Sequence, residues 1–374
     1  MTHMLNSTRI LHLVSADGDW EPAVRVIGLA AALREHGLSS AITAPDHSRL
    51  WEVAEAAGVE VIDYTLESSL NPLRWMDLSK MIKSTASAII HSHDPEASRL
   101  LSRSKMFSGD TAVVTSRYDL KTQPGAAEYG AAVKAIVCPS EALAESFRKH
   151  NDAAQKVRVV YDGVALPTAD RALEERDVLR TRYREAYCPN KEKPLFIVNI
   201  APLEPGHGQA DLLEAMTEVV AALPQTHLFI MGEGTLREEL ERQVKITALD
   251  KDVAFLEPDK AFIRLLAASD LFVSASDNDV SGFMVQAAMA ASTAVVLKNA
   301  GCYPELIEDG KTGVFTPGPG VDGLKAGILD LLENRNRREH LGRMAKARAE
   351  KAFNMAGQAG RIAEIYGEVL ASGK

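Results

Sequence analysis

The feature that most constrains this chain is a pattern that begins twice. Arg9 to Ser15 (RILHLVS) is a short β-forming run, followed by the turn-forming cluster Ala16 to Asp19 (ADGD). Val26, Ile27, Ala30, Ala31 and Leu33 then fall at helical spacing within Ala23 to His36, and Gly37 is a natural stop. Pro194 to Ile200 (PLFIVNI) starts the same succession again: a strand, a glycine-bearing loop over Ala201 to Gln209, and a helix over Asp211 to Leu223. Further strands are expected at Ser40 to Ala44, Ala88 to Ile90, Thr111 to Ser116 and Ala135 to Cys138, with Ser140 and Glu141 opening a helix. Past the restart they are expected at Thr226 to Met231, Val253 to Leu256, Leu271 to Ser274 and Ala294 to Leu297. Strands alternating with helices make a parallel sheet covered on both faces. Two such units in succession place a cleft at the carboxyl ends of their strands, where ligands bind.

Composition narrows the function. With 46% hydrophobic and 25% charged residues, disorder and coiled coil are excluded as the main organisation. The 42 basic and 51 acidic side chains leave a net charge of −9, the wrong sign for a general nucleic-acid binder. Three scattered cysteines, Cys138, Cys188 and Cys302, give no disulfide framework and no Cys-based zinc site. The apolar stretch Ile10 to Val14 is interrupted by His12 and is too short for a signal or a spanning helix, so a cytoplasmic protein is expected. The composition shifts near residue 166, where a charged stretch, Arg171 to Glu185, closes on Cys188-Pro189-Asn190-Lys191. The expected division is an N-terminal domain over 1–166, a linker helix and loop over 167–193, and a C-terminal domain over 194–354.

Several segments then resemble those of the retaining GT-B glycosyltransferases of family 4. They are Met231 to Leu240 (MGEGTLREEL), Ala267 to Ser276 (AASDLFVSAS) and Gly301 to Gly313 (GCYPELIEDGKTG). In the first half the matching segments are Ile89 to Asp94 (IIHSHD), Val137 to Glu141 (VCPSE) and Val159 to Val164 (VVYDGV). The resemblance implies a GT-B architecture: two Rossmann-like, doubly wound parallel-sheet domains facing a cleft, with a C-terminal helix (355–374) crossing back to the first. It also implies a nucleotide-diphosphate sugar held by the C-terminal domain, an acceptor on the N-terminal one, and glycosyl transfer with retention. No cofactor or metal is implied.

The sequence departs from that family at identifiable positions. The family's Arg and Lys, which neutralise the donor diphosphate, fall on Pro202 and His207 in APLEPGHG. Its two glutamates eight residues apart fall on Asp279 and Ala287, and its histidine near residue 115 falls on Arg117. A charge-assisted hydrogen bond contributes about 1.5–3 kcal/mol, so losing two amounts to roughly 3–6 kcal/mol of donor stabilisation.

Each candidate has a plainer reading beside it. His207, between Gly206 and Gly208 and ahead of a helix N-terminus, is a donor-phosphate candidate or a plain loop histidine. Gly232, Gly282 and Phe283 are donor-side by the resemblance, Gly282 because it permits close backbone approach. Glu305 would grip the donor or stabilise its helix, and Asp279 would touch the transferred sugar or serve a turn. His91 and His93 point to one face of a strand end; with Asp94 they offer too few ligands for a metal, and His93 is expected at the transferred sugar and Asp94 at the acceptor, or the histidine is simply one with its hydrogen bonds satisfied at a strand end. Gly18, among the acidic Asp17, Asp19 and Glu21 that would repel a phosphate, meets an acceptor hydroxyl or is a plain turn. Arg117 with Lys121 is an acceptor-side anion clamp or a surface ion pair with Asp119. The seven Lys and Arg of Asn334 to Ala352 form a solvated helix face, with attraction to anionic lipid second in line.

The expectation is a hexosyltransferase acting on a cell-envelope or exopolysaccharide glycan or a lipid-linked acceptor, as in lipopolysaccharide synthesis. It would bind no nucleic acid and would work in the cytoplasm or against the inner face of the plasma membrane. The alternative is a degenerate GT-B scaffold that binds a glycan or a partner glycosyltransferase.

Overall fold

The computed structural model describes residues 8–15, 20–66, 72–103, 111–118, 133–150, 154–259 and 261–372. The chain divides into two compact units, residues 1–163 with 355–374, and residues 164–354.

The first unit is built on seven strands: β1 (Arg9–Leu13), β2 (Ser39–Ala44), β3 (Glu60–Asp63), β4 (Ile89–Ser92), β5 (Ala112–Ser116), β6 (Val133–Cys138) and β7 (Val157–Val159). Their order is β3-β2-β1-β4-β5-β6-β7, and the neighbouring pairs are parallel. The central strands are buried along nearly their whole length because helices cover both faces, and the buried polar side chains they carry sit toward their carboxyl ends. The helix Met355–Ala371 supplies part of one cover: Ile362, Tyr366 and Val369 lie in the same core as Ile10, Ile89, Val114 and Val137.

The second unit repeats the plan with β8 (Leu195–Ile200), β9 (Thr226–Met231), β10 (Val253–Leu256), β11 (Leu271–Ser274), β12 (Ala294–Leu297) and β13 (Val314–Phe315). Their order is β10-β9-β8-β11-β12-β13, again parallel. The direction of winding reverses between β1 and β4 in one sheet and between β8 and β11 in the other. Such reversals splay the loops apart and are where this fold class receives ligands.

Residues 166–187 differ from the expected linker. They form two helices, Leu166–Glu174 and Arg176–Tyr187, that belong to the second unit. Arg180 ties them down, donating to Asp270 at 2.9 Å and to the carbonyls of Ala268 and Pro194. The basic helix Arg335–Ala352 is also less solvated than its composition suggests. Arg338 is buried and donates to the carbonyls of Leu331 and Leu332, while Lys346 pairs with Asp170 and Glu350, and Arg348 with Glu308. Among the described residues no helix is long and apolar enough to cross a membrane.

Candidate functional site

In the second unit the loops after β8 and β11 meet at the reversal. The amide of Asp277 donates to the Gly206 carbonyl at 3.1 Å, and Ser276 Oγ reaches the same oxygen at 3.3 Å. Gly208 has φ +75°, and a Cβ there would lie 2.4 Å from the Ala275 carbonyl oxygen. The two loops therefore touch backbone to backbone, which only a glycine permits. Gly208 starts the 14-residue helix Gln209–Ala222 with no side-chain cap, so the first amides of that helix are not satisfied by a capping side chain. His207, half-buried, stands immediately before it.

Gly232 and Gly282, also expected on the donor side, serve internal packing. A Cβ on Gly282 (φ +64°) would meet Leu306 Cδ1 at 2.1 Å, and one on Gly232 would meet the Ala201 carbonyl oxygen at 2.1 Å. The close approach expected at Gly282 is thus made by the protein itself. Its amide is also taken: Asp279 Oδ1 accepts from the amides of Ser281 at 3.0 Å and Gly282 at 2.8 Å. Asp279 Oδ2 accepts from Tyr303 Oη at 3.0 Å, and Tyr303 is buried and paired with Ser274 Oγ at 2.6 Å. Phe283, expected on the donor side, is a core residue packed against Phe262. Glu305 lies in the four-residue helix Tyr303–Leu306, and its carbonyl accepts from Arg348. Ala287 is fully buried.

Sequence reasoning passed over Lys298, the first residue after β12. Its amide donates to the Ser274 carbonyl, which brings it beside the end of β11, and its Nζ grips both carboxylate oxygens of Asp277 at 2.6 and 2.7 Å. It is a cation that the structure sets against the loop after β11.

In the first unit the reversal holds three histidines. His12 in β1 lies directly opposite His91 in β4, and His93 follows that strand. Their exposures are 0%, 0% and 3%. His12 Nδ1 and His93 Nε2 are 2.8 Å apart, and His12 Nε2 makes a longer contact of 3.4 Å to Ser40 Oγ. His91 bonds Tyr366 Oη through Nδ1 at 2.6 Å and Ser116 Oγ through Nε2 at 2.8 Å. Burial drives all three imidazoles down, His12 to about 3 and the other two well below their ordinary value, so they are neutral. The sequence offered two histidines here, and the sheet supplies the third.

One nitrogen from each ring lies within 4.8 Å of the others, a spacing open to a metal ion. The surroundings fit a cation poorly. Both His91 nitrogens are already bonded, the positive charge of Arg25 bears on His93, and the three-residue group contains no carboxylate. Asp94 is committed elsewhere: Oδ1 accepts from the Ala97 amide, opening the helix Pro95–Arg103, and Oδ2 accepts from the Ser15 amide, both at 2.7 Å.

Arg117 differs from the expected surface residue. It is fully buried, with its guanidinium 5.7 Å from the Phe147 ring centre. Gly18, Asp119 and Lys121 lie outside the described residues. The three cysteines are free and buried.

The family model for glycosyl transferases group 1 matches residues 184–348, and that for glycosyltransferase family 4 matches residues 23–166. The chain belongs to the group 1 GT-B glycosyltransferases. Spore coat protein SA of Bacillus subtilis strain 168 is 27% identical over 251 residues, 63% of this chain and 65% of that protein. Sulfoquinovosyl transferase SQD2 of Arabidopsis thaliana is 29% identical over 164 residues, 43% of this chain and 31% of that protein. This glycosyltransferase-family chain therefore spans less than two thirds of either relative's length. The solved structure of Anabaena Alr3699/HepE in complex with UDP and glucose shares its fold, with a TM-score of 0.81 at 18% identity over 96% of this chain and 99% of that one.

Proposed function

We propose that this GT-B chain transfers a hexose from a nucleotide-diphosphate sugar, with retention, to a glycan or lipid-linked acceptor of the cell envelope or an exopolysaccharide. The observation that carries the reading is the uncapped N-terminus at Gly208, with His207 ahead of it, at the winding reversal of the second unit. A helix start of this kind receives phosphate through its free amides and its dipole. A protonated His207 adds the charge that the family takes from lysine. Lys298 adds a second cation when a diphosphate draws it from Asp277. Asp279 holds the neighbouring loop, and its Oδ2 has a second lone pair for a sugar hydroxyl. His93 is the contact on the acceptor-side unit. That Alr3699/HepE was solved with UDP and glucose supports a uridine nucleotide as the first donor to try. The cytoplasm, or the inner face of the membrane, is where such donors are met.

A second reading is favoured by Pro202 and the buried Ala287, which stand where the family carries an arginine and a ribose-binding glutamate. It is a non-catalytic scaffold that holds a glycan or a partner glycosyltransferase.

Calorimetric titration with UDP, GDP and their hexose conjugates, with and without magnesium, separates the two. Micromolar binding of one nucleotide, lost in His207→Ala and more so at pH 6 than at pH 8, supports the transferase. No binding at millimolar nucleotide overturns it, and capture of a partner glycosyltransferase becomes the measurement for the scaffold.

A further inference from the structure

The six ring nitrogens of His12, His91 and His93 are not equivalent. Five face a hydrogen-bonding partner, while His93 Nδ1 is buried with no partner among the described residues. That orphan is informative because its neighbour is fixed. His93 Nε2 stands 2.8 Å from His12 Nδ1, and two neutral imidazoles at that distance share one proton. If His12 donated, the proton of His93 would sit on Nδ1, as a buried N–H with no acceptor. If His93 donates, Nδ1 is a bare acceptor. Buried donors are left unpaired more rarely than buried acceptors are left under-satisfied. The second arrangement also gives His12 a proton on Nε2, directed at Ser40 Oγ.

We infer that His12 is a positioning residue: it accepts the Nε2 proton of His93 and so keeps His93 Nδ1 as a bare acceptor for a ligand hydroxyl. The hydrogen bonds then run in one direction, from the ligand hydroxyl to His93 Nδ1, from His93 Nε2 to His12 Nδ1, and from His12 Nε2 to Ser40 Oγ. His91 keeps the ring in place. Its centre is 4.0 Å from that of His93, and it is itself anchored at both nitrogens by Tyr366 and Ser116. The His93 backbone is tied as well, its amide donating to the Leu13 carbonyl at 3.0 Å. Only the identity of the ligand, a saccharide with hydroxyls to offer, rests on the function proposed above.

Ring-nitrogen NMR of the full chain carrying 15N-histidine tests this without any ligand, with His93 assigned by its loss in His93→Gln. The expected result is a proton on His93 Nε2 and a bare Nδ1. His12→Leu, which removes the acceptor, is expected to move the proton toward Nδ1. His12→Asn, whose amide oxygen takes the place of the ring nitrogen, is expected to keep it on Nε2. In acceptor titrations, losing one oriented hydrogen bond raises the acceptor Kd by about tenfold in His12→Leu, with most of the affinity restored in His12→Asn. A proton on Nδ1 in the wild-type protein overturns the inference. So does a folded His12→Leu that keeps the wild-type tautomer, or one equivalent of zinc bound by the three imidazoles, since a metal would occupy the lone pairs. Because the tautomer is read on the free protein, a failure to bind nucleotide sugar counts against the proposed transfer and leaves the positioning role standing.

Discussion

Tyr303 Oη donates to Asp279 Oδ2 at 3.0 Å and lies 2.6 Å from Ser274 Oγ, so one phenol ties the end of β11, the loop after it and the helix Tyr303–Leu306 together. Burial first, and then the Asp279 carboxylate, push the phenol far above its ordinary value, and it stays protonated as a donor.

Tyr303→Phe removes that donor and leaves buried Ser274 and the Asp279 carboxylate each short of a partner. The expected loss is about 1–3 kcal/mol of stability, read by urea denaturation. Nucleotide affinity is expected to fall less than in Asp279→Ala, which removes the carboxylate as well as its bonds to the amides of Ser281 and Gly282.

Lys298 and Asp277 are expected to act in opposite directions on donor binding. Lys298→Met removes a cation and weakens UDP binding by roughly tenfold. Asp277→Asn frees that cation and tightens binding by a few-fold, an effect that fades as salt is raised. Calorimetry at two ionic strengths checks both signs.

Arg25 and Asp162 form a buried ion pair at 3.2 Å. Gln358 donates to the other carboxylate oxygen, and Arg25 also lies over the Tyr118 ring at 4.2 Å. Arg25→Met strands a carboxylate in the interior and is expected to cost about 3–5 kcal/mol. The double variant Arg25→Met with Asp162→Asn is expected to recover part of that loss, which a double-mutant cycle measures.

The buried imidazoles make stability depend on acid. His12 is held to about 3 and His227 to about 4, and His91 and His93 well below their ordinary value, in each case chiefly by burial. As the pH falls through about 6.5 the unfolded chain takes up protons that the folded protein refuses, so acid favours unfolding. For His12 and His227 the expected loss between pH 7 and pH 5 is about 2 kcal/mol each. His12→Asn is expected to flatten that slope by close to one proton, as measured by denaturation at a series of pH values.

The strands of the second unit were readable almost to the residue: Thr226–Met231, Val253–Leu256, Leu271–Ser274 and Ala294–Leu297 fall where their apolar runs predict. Strands with helices on both faces are apolar from end to end, and that signal is local. β3, β7 and β13 went unread because they are short edge strands, and Glu60–Asp63 has two exposed and two half-buried residues. The site was less legible because its contacts are long-range. His12 reads in sequence only as a polar interruption of Ile10 to Val14, and its meaning depends on the parallel register that puts it opposite His91. Gly282 and Phe283 were read within a family motif, but a motif does not say that Leu306 fills the space beside one and Phe262 packs against the other.

Because Met355–Ala371 completes the core built around β1 and β4, the first unit encloses the second in the order of synthesis. Domains generally fold as units, the earlier-made one first. Here the later-made half, residues 164–354, has all of its own parts before the earlier half does. The first unit must wait on the ribosome with the groove for its last helix open, and truncation ahead of Met355 is expected to leave a folded second half attached to an aggregation-prone first one.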